Sequence, residues 1–204
     1  MQITAEEASY LVEQQQIAHK LLAGFYRNIL ACFNQLAKKC GYSFYQWEPL
    51  ETAWPGKANP STKWIWDYLP LYASCFVYKK SDEQTHARPG DCVLVFRLYC
   101  DEGFRSVWRT GYVDPVDLES KEGCVEMMIY RCISASRSSC SDLFNETQWP
   151  ELKPPFAEGW YDVESQNMKA YYRRYSLENF ITQQDSIHAN IIEYTSKDFK
   201  VPEI

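Results

Sequence analysis

The longest regular pattern in the chain lies at its N-terminus, where apolar residues recur at steps of mostly three and four. Thr4 and Glu7 have the spacing of a capping box that starts a helix, and Gly41 marks its end. The pattern predicts one long helix, or two helices joined near Gly24. An unbroken helix would span roughly 50 Å, so its first turns are expected to project or to pair with a second copy. The apolar positions are Leu11, Ala18, Leu22, Phe25, Ile29, Phe33, Leu36 and Cys40.

Five segments have the period-two alternation or the aromatic and β-branched content of strands. In the third of these segments, Leu94, Phe96 and Leu98 share one face, which predicts the central strand. Asn59 and Pro60 predict the start of a short helix over residues 60–69. Ser176 is expected to cap a closing helix with a stripe formed by Leu177, Phe180, Ile181, Ile187, Ile191 and Tyr194. The five strand segments are residues 43–47, 71–78, 91–100, 124–133 and 168–176.

The order of these elements predicts an α+β fold. Most connections between strands are too short for right-handed helical crossovers, so the sheet should be largely antiparallel. We expect about five strands, covered on one face by the long N-terminal helix and a C-terminal helix. A chain of 204 residues fits one core, so residues 1–204 are predicted to form a single domain.

Composition and charge exclude several classes of function. The net charge is −6 and the basic residues are scattered, which disfavours a dedicated nucleic-acid-binding protein. The chain lacks an apolar run long enough for a membrane span and the features of a signal peptide, so we expect a cytoplasmic protein. Its eight cysteines include no C-x-x-C pair, which predicts free thiols and no zinc site. The glycine motifs of nucleotide-binding loops are missing, so no cofactor is expected.

Carboxylates near strand and helix ends are the candidates for catalysis. Paired acids can act as general acid and base, or hold a metal ion that activates water. The alternative function is therefore a carboxylate-based or metal-dependent hydrolase or nuclease. Whether these side chains converge in a pocket stays open at this point. The candidate residues are Asp67, Asp91, Asp101, Glu102 and Glu126.

The segment YYRRY at residues 171–175 interleaves aromatic rings with arginines. Such an arrangement lets bases stack on rings while guanidinium groups contact phosphates. It is also typical of an edge strand with one solvated face. The acidic net charge counts against nucleic-acid binding, so we favour the edge strand.

Tryptophans supply the strongest functional signal. Residues 47–72 hold four of the seven in the chain, and we expect Trp47 and Trp64 to be core because they fall on periodic apolar faces. Trp54, Trp66 and Trp108 fall outside the periodic apolar faces, and Trp54 and Trp108 have basic neighbours. They either form a docking surface, since tryptophan and arginine are enriched at binding hot spots, or fold inward as plugs. We favour a non-catalytic inhibitor-, immunity- or assembly-factor-like protein that docks a protein partner. The predicted binding residues are Trp54, Lys57, Trp66, Arg105, Trp108 and Arg109.

Overall fold

A computed structural model describes residues 3–50, 73–80, 89–103, 119–133, 157–163, 168–196 and 199–201 of the chain. Within these ranges, three helices and six strands form the predicted α+β fold. None of the described helices has the length and apolar character needed to cross a membrane. The predicted helix over residues 60–69 lies outside the described residues. In chain order the elements are α1 (Ala5–Lys39), β1 (Ser43–Pro49), β2 (Ala73–Lys79), β3 (Cys92–Tyr99), β4 (Cys124–Cys132), β5 (Gly159–Val163), β6 (Met168–Ser176), α2 (Leu177–Thr182) and α3 (Gln184–Thr195).

The strands form one sheet in the order β1-β2-β3-β4-β6-β5, and every neighbouring pair is antiparallel. This confirms the predicted antiparallel sheet and the central place of β3. The sequence predicts five strands, whereas the structure has a sixth, β5. This strand has only five residues and follows a proline-rich segment, so its alternation is too short to be recognised.

A cluster of buried residues lies on each face of the sheet, and the larger one, the main core, lies between the sheet and the helices. Phe33 of α1 is its centre: its ring stacks on Phe96 of β3 at 4.8 Å and meets Phe180 of α2 edge-on at 5.2 Å. Ile29 of α1 and Ile187 of α3 are buried in the same cluster. The prediction that the terminal helices cover one face of the sheet is therefore confirmed.

Helix α1 is continuous through Gly24, so the alternative of two helices is wrong. Its start is the predicted capping box: the Glu7 N–H donates to Thr4 Oγ1 at 3.2 Å, and the Thr4 N–H donates to Glu7 Oε2 at 2.7 Å. Every residue from Ser9 to Leu21 is exposed, and the first fully buried side chain of the helix is Ile29. The first turns of α1 therefore project from the core.

The closing helix is divided in two. Ser176 caps α2 as predicted, accepting the Asn179 N–H at 3.1 Å, but the helical path breaks at Gln183. Phe180 is fully buried, whereas Ile181 is exposed, so its assignment to the buried stripe is wrong. The two residues lie about 100° apart around a helix of six residues, and only one of them faces the sheet.

Strand β6 is an inner strand, because β5 pairs with its outer side. The prediction of an edge strand with a solvated face is wrong: Tyr171, Tyr172 and Tyr175 are all buried. Arg173 forms an ion pair with Glu158 at 3.0 Å. Rings in this position cannot stack with bases, so the YYRRY segment has a structural role.

Candidate binding site: an aromatic groove beside strand β1

A β-bulge in β1 decides which of its side chains face α1. The pairing register with β2 shifts by one residue between Phe44 and Gln46, so Tyr45 is an extra residue in the ladder. In a regular strand, residues three apart point to opposite faces. The bulge instead places Phe44 and Trp47 on the same face, where they pair with Tyr78 and Phe76.

A groove of about 510 Å³ lies between this face of β1 and helix α1. Its volume is within the range of ligand-binding clefts. Five of the seven lining side chains are aromatic, and none of them is charged. The lining consists of Tyr26, Leu30 and Asn34 from α1, Phe44 and Trp47 from β1, and Phe76 and Tyr78 from β2.

Each of the two aromatic side chains from β1 packs against a ring of β2 on one side and is exposed on the other. Trp47 stacks on Phe76 with ring centroids 6.4 Å apart, and Phe44 meets Tyr78 edge-on at 5.8 Å. Even so, Trp47 is 50% and Phe44 is 51% exposed. The prediction that Trp47 is a core residue is therefore wrong. The bulge explains the error, because it puts Trp47 on the face that meets the groove at the edge of the sheet.

The polar groups of the groove are neutral. The Tyr78 hydroxyl donates to Asn34 Oδ1 at 2.9 Å, and the Tyr26 hydroxyl lies 3.5 Å from Cys100 Sγ. Burial raises the pKa of both tyrosines above the ordinary value of 10. The groove therefore offers an apolar lining with a few fixed hydrogen-bonding groups.

The helical wall of the groove is flanked by positive charge. From residue 25 to residue 39, α1 contains three basic and no acidic residues. Arg27 lies three residues before Leu30, and Lys38 lies four residues after Asn34, so both are neighbours of groove residues on the helix surface. Both are exposed. The groove is thus apolar inside and basic along one rim.

Four of the five candidate carboxylates belong to the described residues, and they do not gather in one place. Asp91 precedes β3, whereas Asp101 and Glu102 follow it, so they lie at opposite ends of that strand. Asp101 Oδ1 accepts the Gly103 N–H at 2.7 Å and the Lys121 N–H at 2.9 Å, which fixes a loop.

Glu102 and Glu126 do come close to a common neighbour, Cys124. Glu102 forms an ion pair with Arg174 and accepts the Cys124 thiol at 3.2 Å. Glu126 is only 2% exposed and accepts the Tyr172 hydroxyl at 3.1 Å. Burial, followed by the charge of Glu102, raises the pKa of Cys124 to about 12. This thiol stays protonated at neutral pH and is not an activated nucleophile.

The described residues also give no support for a metal site. Among the described residues, no three His, Cys, Asp or Glu side chains are arranged to hold a metal ion. Asp101, Glu102 and Glu126 contact backbone N–H groups, an arginine, a thiol and a tyrosine, which are structural partners.

Comparison with known proteins gives one result. The sequence model of the PM0109 family matches residues 5–198. The chain belongs to the PM0109 family. No curated protein and no solved structure matches it. The PM0109 match begins at the first residue of α1, so it includes both the projecting helix and the groove.

The residues predicted for binding in this PM0109-family protein are Trp54, Lys57, Trp66, Arg105, Trp108 and Arg109, and all six lie outside the described residues. Their role in docking stays a prediction. The candidate carboxylate Asp67 and the predicted core residue Trp64 also lie outside the described residues. Sequence reasoning missed Trp47 as a surface residue. No periodic signal marks it: only the structure separates Trp47 from Tyr45, whose ring lies under the Lys79 ammonium at 3.6 Å on the other face of the sheet.

Proposed function

We propose that this protein is a non-catalytic binding protein, inhibitor-, immunity- or assembly-factor-like, whose groove between α1 and β1 docks a protein partner. The observation that carries the proposal is the pair of half-exposed rings, Trp47 and Phe44, each supported by a ring of β2. Rings that are already ordered lose little conformational freedom on binding. Exposed aromatic side chains around a pocket are typical of binding hot spots.

The edge position of β1 favours an extended segment of the partner. Of the strands that the structure describes, β1 has a neighbour, β2, on one side only. Its other side can accept a further strand through backbone hydrogen bonds, while alternate side chains of the added strand enter a pocket. The groove beside Trp47 is such a pocket.

Charge favours a segment that also carries acidic residues. Arg27 and Lys38 flank the groove on α1, and Glu48 is the acidic residue of β1. A segment with an apolar or aromatic anchor and nearby Asp or Glu matches both the neutral lining and the basic rim. That Trp54 and Trp108 also bind the partner stays a prediction from the sequence.

We also propose a cytoplasmic location. Seven cysteines are described as free thiols, and five of them are buried. Free buried thiols suit a reducing compartment. The hydrolase alternative gains no specific support, because Asp101, Glu102 and Glu126 have the structural contacts given above.

Site-directed photo-crosslinking in cells or lysate tests the proposal. A photo-reactive phenylalanine analogue replaces Phe44 in one variant and Ile133, an exposed apolar residue after β4, in a control. We expect a protein adduct from position 44 and none from position 133, with the crosslinked segment extended and acidic. No adduct at position 44, or equal adducts at both positions, would overturn the proposal.

A further inference from the structure

The projecting half of α1 carries an apolar row that faces neither the sheet nor the groove. Tyr10, Ile17 and Leu21 are 60%, 42% and 69% exposed, and with Gln14 they follow steps of four, three and four residues. This is the spacing of the a and d positions of a coiled coil. Exposed apolar rows of this length are rare unless another surface covers them.

Four charged residues run alongside this row at intervals of seven. Glu6, Glu13, Lys20 and Arg27 each occupy the position before an a position, which is the g position of the repeat. All four are exposed. The two acids lie in the first half of this segment and the two bases lie in the second half. Two copies of the segment that run in opposite directions therefore place acids beside bases.

We propose that this row is covered by α1 of a second copy of the chain, in antiparallel orientation, with the two-fold axis between Gln15 and Gln16. In this register Leu21 packs against Tyr10 of the second copy, and Ile17 against its Gln14. Both layers, of which only the one formed by Leu21 and Tyr10 is apolar on both sides, occur twice because of the symmetry.

The same register pairs every one of the four charges with its opposite, so in the dimer Lys38 rather than Arg27 supplies the basic rim of the groove. Glu6 faces Arg27 of the second copy, and Glu13 faces its Lys20, because g positions face g positions in antiparallel pairs. In a parallel pair, g positions face the e positions five residues further on, which are apolar here. Only the antiparallel arrangement uses the charge pattern.

The geometry of the fold permits this pairing. The overlap runs from Ile3 to residue 28, about 40 Å of helix, and ends just before Ile29, the first fully buried residue of α1. Leu30 of the groove lies nine residues after Leu21, which is two and a half turns, on the opposite side of the helix. The dimer therefore leaves both grooves open and presents two docking sites.

A charge-reversal series measured by sedimentation velocity over a wide range of concentration tests the register. We expect a dimer of the wild-type chain, and Glu13→Lys and Lys20→Glu should each weaken association by about tenfold or more, since two attractive pairs become repulsive. The double variant Glu13→Lys/Lys20→Glu should restore wild-type association. Gln16→Lys, off the row, is the control and should change nothing.

Two results would overturn the inference. A wild-type chain that stays monomeric at every concentration rules out a second copy as the occupant. The antiparallel register is ruled out if the single reversals leave the dimer affinity unchanged, or if the double reversal does not restore it. Circular dichroism of each variant confirms that the exposed substitutions leave the helix intact.

Discussion

The rings of Trp47 and Phe76 stack with centroids 6.4 Å apart and planes 18° from parallel, while half of Trp47 stays exposed. Phe76 is itself buried in the core cluster under α1. Trp47 therefore lies at the boundary between the core and solvent. Its inner face contributes to folding, and its outer face is available to a partner.

Replacing Trp47 by alanine should cost little stability. About half of the side chain is already in water, so we expect Trp47→Ala to lower the free energy of unfolding by about 1–2 kcal/mol. Urea denaturation measures this difference. A loss as large as that of a fully buried aromatic residue would show that Trp47 belongs to the core.

Phe96 gives the matching case of a core ring. It is fully buried and contacts Phe33, Tyr78 and Phe180 at centroid distances of 4.8, 5.8 and 5.6 Å. We expect Phe96→Ala to lower the free energy of unfolding by about 3–5 kcal/mol, because the cavity cannot collapse among three rings. A change below about 1 kcal/mol would contradict the central place of β3.

Local pattern was enough to predict the helix start, the central strand and the fold class. The capping box needs only Thr4 and Glu7, and β3 is recognised from a short apolar run whose residues are buried on both faces of the sheet. Both signals lie within a few residues of the feature that they predict. They do not depend on which strands become neighbours.

The groove could not be predicted because it depends on a bulge and on strand order. Regular alternation groups Tyr45 with Trp47, and a single extra residue in the ladder separates them. The burial of Tyr171 and Tyr172 likewise depends on the pairing of β5 beyond β6. Neither relationship leaves a periodic signal in the sequence.

Buried thiols should make the protein less stable in alkali. Burial raises the pKa of Cys40 and of Cys75 from 9.0 to about 11. The native state therefore holds protons that the unfolded state loses above pH 9. This part of the stability is complete below pH 9 and is lost as pH rises from about 9 to about 11.

Denaturation at a series of pH values measures this loss. Each such thiol contributes a slope of at most about 1.4 kcal/mol per pH unit. Cys75→Ala should show a shallower decline over the same range. A free energy of unfolding that is constant or rises between pH 9 and 11 would contradict the assignment of buried, protonated thiols.

Glu126 should matter for folding. It is buried, accepts the Tyr172 hydroxyl, and pairs in register with Arg97 on one side and Arg174 on the other. Glu126→Gln keeps the shape but removes the charge, and we expect a loss of about 1–3 kcal/mol in urea denaturation. An unchanged stability would mean that the carboxylate is not held for structure, and would favour a chemical role.

The affinity of the purified partner for the wild-type protein and for Trp47→Ala tests the central claim most directly. The protein captured by crosslinking at position 44 is titrated against both, with Ile192→Ala as an exposed apolar control on α3. We predict that Trp47→Ala raises the Kd about 30-fold or more, equivalent to about 2 kcal/mol, and that Ile192→Ala leaves it unchanged. A Kd that Trp47→Ala does not alter would contradict docking in the aromatic groove.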